Sequence, residues 1–470
     1  MAHSIQITKK IISRLFVPVF IILSYLYFVS PSFLPNQFSY TPQTHYQYLT
    51  AGFLSGQLNL SISPSKQLIN LPNPYDPHQN IGLRLHDASL YHGKYYLYFG
   101  ALPVFTYFIP FKLLTGLYPS EASAVLFFLA LGFMIGFALL IQIKEQHFAH
   151  FSELQLIFAG LILGFANNAP FLLTRPKFYE VAIASAFCFM SFSIFFLYNS
   201  FHSKFQTRNI FLFSLCLSLT VASRPHFALI CIILIPTMLI YFYHHLSFKK
   251  TCVLALTILG PPLSIGLLLA AYNYMRFTSV LEFGTTYQLA AINVRETGLT
   301  CAQFYQHLPF SFFRYYLQPF SIQSAFPYIS FSHFTLAPAS PQHQHDLYGR
   351  TMGCLLTTPI IVFIFTLASQ INFYFVNNVK KLYPLLWFVV FTAFVPIINS
   401  SFLMSINGIT QRYISDFIPY LVLLAIISVW LLEEYQLKSH LYKIWQTFFI
   451  ATGTFSILFG INLGSMITLF

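Results

Sequence analysis

The chain is poor in charge. Of its 470 residues only 8% are Asp, Glu, Lys or Arg, against roughly a quarter in a soluble globular domain. So few charges cannot solvate the surface of a water-soluble sphere, which excludes a soluble enzyme and a disordered chain. Cysteine is also sparse. Six are present and no two form a CxxC pair, so they are expected to be free thiols. There is no phosphate-binding P-loop, no GxSxG and no HExxH. What is abundant is apolar: 56% of residues are hydrophobic and 19% aromatic, and mean hydropathy is +0.66. The composition is that of a polytopic membrane protein.

A helix needs about 20 apolar residues to cross the hydrocarbon core. The sequence predicts an all-α membrane domain over 1–470 with about eleven spans: 11–30, 121–143, 154–173, 181–199, 210–223, 227–243, 251–273, 351–369, 383–398, 414–432 and 444–463. The apolar N-terminal run follows Lys9, Lys10 and Arg14 without a small-residue cleavage site, so it is expected to remain as the first span. A further aromatic stretch, Tyr95–Leu117, is interrupted by Pro103, Pro110 and Lys112 and is read as an interfacial helix. With that reading, one side of the membrane collects a net charge of +8, including ten of the 14 lysines, and the other +4. The positive-inside rule makes the lysine-rich side cytoplasmic, with the N-terminus on it. A bacterial inner membrane is the expected location, although the composition also suits the endoplasmic reticulum. The net charge of +12 is dispersed among short loops, so nucleic acid is not an expected partner and membrane lipids are.

Two long outer loops, 31–120 and 274–350, hold most of the remaining ionisable chemistry. Eight of the ten arginines fall on the outer side: Arg84, Arg175, Arg224, Arg276, Arg295, Arg314, Arg350 and Arg412. All four aspartates, Asp76, Asp87, Asp346 and Asp416, fall there too. Lysine sets topology by bulk charge, whereas the guanidinium fork binds phosphate or carboxylate in two places at once. As a set, the outer arginines point to an anion held at the outer face.

Several short segments concentrate this chemistry. Leu83–Gly100 carries Arg84, His86, Asp87, Tyr91, His92, Lys94 and Tyr95 just before the interfacial stretch. A carboxylate there suits a general base, and HDAS equally suits a turn with Asp87 as a helix cap. Thr174–Glu180 is a short outer turn that opens with Arg175 and closes with Glu180 near lipid depth, where ionisable groups are costly and mark function. Arg175 and Lys177 there also have the reach to snorkel to headgroups. Arg224, then Arg276 with Glu282, then Arg412 with Asp416 follow. The last two are four apart, the spacing of an ordinary helical ion pair. His343, His345 and Asp346 have no matching distant ligand motif, and His45, His78 and His307 read as loop residues. No cofactor is required and a divalent metal is not indicated.

Several segments resemble stretches of the GT-C superfamily of membrane glycosyltransferases, such as bacterial aminoarabinose transferases and protein O-mannosyltransferases. Thr44–Gly56 looks like the start of that family's first loop, and Leu97–Gly116 like its proline-containing interfacial helix. Arg175–Glu180 looks like its motif of an arginine followed by an acidic residue. Asn273–Ala290 and Gln411–Ala425 look like stretches of uncharacterised bacterial relatives. The resemblance implies transfer of a sugar, with inversion, from a polyprenyl-phosphate donor to a lipid, polysaccharide or protein acceptor of the cell envelope.

On that implication, Arg175, Arg224, Arg276 and Arg412 hold the donor phosphate, Asp87 is the base and Glu180 orients acceptor or sugar. Arg84, His86, Tyr95, Glu282 and Asp416 contact acceptor or sugar, and Tyr95, Tyr96 and Tyr98 stack on sugar or anchor at the interface. The family's acidic residue near the start of the first loop is missing at Gln43, Thr44 and His45, which moves the base to Asp87 ahead of Asp76. The rival classes are a carrier or flippase for an anionic lipid, a polymerase or ligase of lipid-linked glycans, and a structural assembly partner.

Overall fold

The computed structural model describes residues 2–33, 38–291, 293, 308–332, 334, 350–406, 408–436 and 442–466. Arg295, Cys301, His307, His343, His345 and Asp346 lie outside the described residues.

The protein is an all-α bundle. Among the described residues, its strands form three two-stranded antiparallel pairs. Helix α1 is Ala2–Phe33, α2 His45–Leu54, α3 Lys66–Ile69 and α4 Ile109–Thr115. Then follow α5 (Glu121–His147), α6 (Glu153–Phe165), α7 (Ala169–Thr174), α8 (Phe178–His202), α9 (Thr207–Ser223), α10 (Ala228–His245) and α11 (Phe248–Phe277). The C-terminal part adds helical runs over Pro359–Val376, Tyr383–Ser405, Ile418–Gln436 and Tyr442–Gly464. Among the described residues, eight helices are long and apolar enough to cross a membrane. The expected number of eleven is therefore not established. Glu153–Phe165 and Thr207–Ser223, each expected to span, are shorter apolar helices.

Helix α5 shows how the sequence makes these elements. Ser120 caps it by accepting from the Ser123 N–H at 3.1 Å, and Glu121 sits in the first turn against the positive end of the helix dipole. No charge interrupts the helix until Lys144. Its 27 residues reach about 40 Å at 1.5 Å each, beyond the roughly 30 Å of hydrocarbon. Where α5 crosses α8, Gly132 leaves no room for a side chain: a Cβ there would lie 2.6 Å from the Phe187 ring. Hydroxyls tie further crossings, because lipid offers no hydrophobic drive between helices. Ser193 donates to the Phe213 carbonyl at 3.1 Å, Ser185 and Ser223 meet at 2.8 Å, and Ser214 donates to the Ile258 carbonyl at 2.5 Å.

The expected span 154–173 is broken. Helix α6 stops at Phe165, Asn168 takes a left-handed φ of 63°, and α7 restarts with Pro170 in its first turn. A proline N-terminal turn cannot continue the preceding hydrogen-bond ladder, and Asn167 instead accepts the Ala169 N–H at 2.9 Å. The break directs the chain into the 174–180 turn. The span expected at 351–369 is also displaced, to Pro359–Val376, with Pro359 at its start.

The stretch read as an interfacial helix over 95–117 is helical only over Val104–Thr115, because Lys94–Tyr96 pairs as a strand with Ser89–Tyr91. Those residues make about 18 Å of helix, too short to cross. Helix α2 covers this segment through stacked rings, Tyr46 on Phe108 and Phe53 on Phe105.

The ionisable side chains of the bundle gather at its two ends. At one end Arg14 meets Glu145 at 2.5 Å, Lys144 meets Glu153 at 2.9 Å and Lys381 meets Glu434 at 3.2 Å. His147 and His202, at the C-terminal ends of α5 and α8, touch there at 2.9 Å. The N-terminus of α8 lies a full helix of 25 residues away, about 36 Å by helical rise. That far end carries the candidate site.

Candidate functional site

A cavity of about 620 Å³ opens at the start of α8. Among the described residues, Arg175, Lys177, Arg350 and Arg412 line it against one acidic residue, Glu180. Phe171, Phe178, Tyr179 and Phe331 form aromatic wall, with His86 and Thr410 at the edge. The arrangement is a cationic pocket with flat apolar faces.

Its geometry comes from the junction between α7 and α8. Arg175 ends α7, Pro176 provides no N–H, and Lys177 begins α8 as its cap. The Lys177 N–H is taken by Glu180 Oε2 at 3.1 Å, which turns the Glu180 carboxylate back toward the positive helix end. Glu180 is 4% exposed, and its Oε1 meets Arg412 Nη1 at 3.4 Å. The Arg412 guanidinium also stands 4.2 Å from the centre of the Tyr179 ring, within cation–π range. The Tyr179 hydroxyl donates to Asp87 Oδ2.

Asp87 is held from the other side by the backbone. It adopts a left-handed φ of 57°, a conformation in which Asp is tolerated better than most residues. Its N–H donates to the Leu289 carbonyl at 3.0 Å, and the Leu289 N–H donates to the Ala88 carbonyl at 2.9 Å. Asp87 caps no helix: the next element is the strand Ser89–Tyr91. His86 Nε2 lies 3.6 Å from Asp87 Oδ2, beyond hydrogen-bond range. Beneath them, the His45 ring stacks on Phe178 with centroids 4.0 Å apart. His45 Nε2 meets the His86 carbonyl at 2.9 Å, so that nitrogen carries the proton. Burial pushes the His45 pKa down to about 4, against a smaller upward pull from the His86 carbonyl.

Of the sequence-derived residues, Arg175, Glu180, Arg412 and His86 line the cavity and Asp87 adjoins it through Tyr179. The others are placed elsewhere. Arg224 and Asp416 form a buried pair at 2.6 Å, and burial pushes the Asp416 carboxyl up to about 6 while Arg224 draws it down. The helical pairing of Arg412 with Asp416 does not form, because Gln411–Asp416 winds as a 3-10 helix, in which residues four apart no longer share a face.

Arg276 donates to the Leu97 carbonyl at 2.8 Å and to Asn273 Oδ1 at 2.7 Å, with its guanidinium 3.8 Å from the centre of the Tyr272 ring. It latches α11 to the first loop and does not line the cavity. Arg84 donates to Asn80 Oδ1 at 2.6 Å, and the buried Tyr95 hydroxyl accepts the Leu85 N–H at 3.3 Å. Glu282 accepts the Gly284 N–H at 2.5 Å in its own turn. Asp76 is used likewise, taking the His78 N–H and the Gln79 amide at 2.9 Å each.

Tyr179 sits inside the 174–180 motif with nothing in the sequence to single it out, and His45 opens a helix where the sequence suggests a loop residue. Nothing local in the sequence marks His45, whose burial depends on Phe178 and His86. Among the described residues, no group of three or more His, Cys, Asp or Glu side chains is placed to hold a metal ion.

No protein-family model and no curated protein matches the chain. Among solved structures, the Archaeoglobus fulgidus oligosaccharyltransferase, tethered to an acceptor peptide containing the NVT sequon via a disulfide bond, is similar in fold, with a TM-score of 0.48 and 12% identity. The similarity covers 97% of this chain and 55% of that one, so the chain spans just over half the length of that enzyme.

Proposed function

We propose that the protein is a membrane glycosyltransferase of the GT-C kind, moving a sugar from a polyprenyl-phosphate donor to a hydroxyl of a cell-envelope acceptor at the outer face. The observation that carries this reading is the cavity at the head of α8: among the described residues, four cations around one carboxylate, with aromatic walls, at the end of the bundle opposite the lysine-rich end. By the positive-inside rule that end is outside.

A phosphodiester donor carries one negative charge, and its leaving monoester carries about two. Arg175, Arg412, Lys177 and Arg350 supply positive charge where that second charge develops, the electrostatic requirement of the step. Flat aromatic walls suit the apolar faces of a sugar ring. Asp87, adjoining through Tyr179, takes the proton of the attacking hydroxyl, and attack opposite the phosphate inverts the anomeric centre.

A carrier of anionic lipids would place ionisable groups at mid-depth of its helices. In the described helices Asp, Glu, Lys and Arg stand at or near the ends of the spans. That distribution favours chemistry at the surface over translocation.

The test is release of free polyprenyl phosphate by purified, lipid-reconstituted protein given a panel of polyprenyl-phosphate sugars and mixed acceptors. Release that depends on both donor and acceptor supports the reading. Donor binding without release for every sugar tried, together with donor transfer between leaflets, would favour the carrier.

A further inference from the structure

Asp87 does not itself line the cavity. His86 and Tyr179 do, and the Asp87 side chain is 11% exposed. Among the described residues, the side-chain donor within hydrogen-bond reach of Asp87 is the Tyr179 hydroxyl. The same tyrosine presents its ring to Arg412 at 4.2 Å, a contact that a phenyl ring would make as well. Among the described residues, the hydroxyl therefore serves the carboxylate. A hydroxyl has one proton to give and two lone pairs to receive. With its proton on Asp87, the Tyr179 oxygen keeps lone pairs for a second O–H arriving from the cavity.

We propose that Tyr179 is a catalytic residue that touches the acceptor hydroxyl and relays its proton to Asp87. The proposal rests on the glycosyl-transfer reading above. The acceptor O–H bond breaks and its proton passes to Tyr179 Oη, while the Tyr179 proton passes to Asp87 Oδ2. The acceptor oxygen uses the freed electron pair to bond the anomeric carbon. The bond from that carbon to the phosphate oxygen breaks, and its pair leaves on the phosphate. One proton is gained by Asp87 and Tyr179 ends as it began. The negative charge moves from Asp87 to the leaving phosphate, facing the cavity cations.

The experiment compares full-length reconstituted wild type with Tyr179→Phe, Asp87→Asn and the double variant, using a polyprenyl-phosphate sugar on which the wild type turns over. Tyr179→Phe keeps the ring under Arg412. It is expected to lower kcat by about 100-fold or more, the scale of a lost proton-transfer group, with donor KM within about threefold. The double variant is expected to be no slower than the slower single one, because residues acting as one unit are not additive.

A Tyr179→Phe kcat within about threefold of wild type, or a loss carried by donor KM, overturns the relay and leaves glycosyl transfer standing. A wild type that releases no polyprenyl phosphate from any donor overturns glycosyl transfer, and the relay with it. If the phenylalanine variant does not fold, a fluorinated tyrosine at position 179, with its more acidic hydroxyl, replaces it. A changed pH dependence of kcat then supports the relay, and an unchanged one overturns it.

Discussion

Arg412 reaches across the bundle to Glu180, 3.4 Å away, and leaves Asp416, its neighbour four residues along, to Arg224 at 2.6 Å. The 3-10 winding of Gln411–Asp416 splits the two side chains onto different faces. One then serves the cavity and the other a buried ion pair. Two arginines that look alike in the sequence acquire different work from this one local twist.

Arg412→Ala removes the partner of a buried carboxylate and one of the four cavity cations. Donor binding and turnover are each expected to fall about 10- to 100-fold, as for a lost charge-assisted contact of about 1.5–3 kcal/mol. Arg412→Lys should recover only part of this, because a point charge does not reproduce the planar fork. Donor titration and polyprenyl phosphate release read both effects, and full activity in the alanine variant would remove Arg412 from the site.

Asp87→Asn keeps the shape of the side chain and removes its negative charge. On the proposed reading, turnover should fall by about 100-fold or more while donor affinity stays within about twofold, since the change removes the proposed proton acceptor and leaves the cavity cations untouched. Unchanged turnover would place the base elsewhere.

Arg224→Ala leaves Asp416 buried without its partner, and is expected to cost about 3–5 kcal/mol of stability. Arg224→Met combined with Asp416→Leu removes both charges, and should restore much of the melting temperature. Because neither residue lines the cavity, donor KM in the double variant should match wild type. A raised KM would return Arg224 to the donor site.

Arg276→Ala should loosen the first loop from α11, since Arg276 holds the Leu97 carbonyl and Asn273. The expected signature is a lower melting temperature and faster proteolysis of the 56–100 region, with donor affinity unchanged in the folded fraction. A selective loss of donor affinity with normal melting would contradict this placement.

Acid should destabilise the protein through His45, whose folded pKa is pushed down to about 4 from 6.5. Between those values the unfolded chain binds a proton that the folded chain refuses, so stability rises with pH across this window and is lost as pH falls through it. The shift corresponds to a destabilisation of about 3 kcal/mol at low pH, absent above the unfolded pKa. Melting measured from pH 4 to pH 7.5 should show the slope, and His45→Gln should flatten it.

The membrane class, the helical content and the approximate positions of most spans were legible because they depend on composition and on apolar run length, which are properties of the linear chain. Arg175 and Glu180 were legible for a related reason. A turn of a few residues at membrane depth carries charge only at a cost, so their presence there stands out against the apolar background. The break at Asn168 and Pro170 was signalled by the proline itself, but the continuous apolar pattern around it masked the signal.

What the sequence by itself determined is a bundle of apolar helices with arginine and aspartate gathered at one end and lysine at the other. Hydropathy and charge fix those features residue by residue. Only the tertiary structure decided which arginines share a cavity, because side chains of similar chemistry are sorted by distances between segments far apart in the chain. Arg224 and Arg276 are held by Asp416, Asn273 and the Leu97 carbonyl, partners that no local pattern reveals. Tyr179 gained its place by meeting Asp87, 92 positions away. That contact depends on how the first loop, held by Leu289, packs over the head of α8.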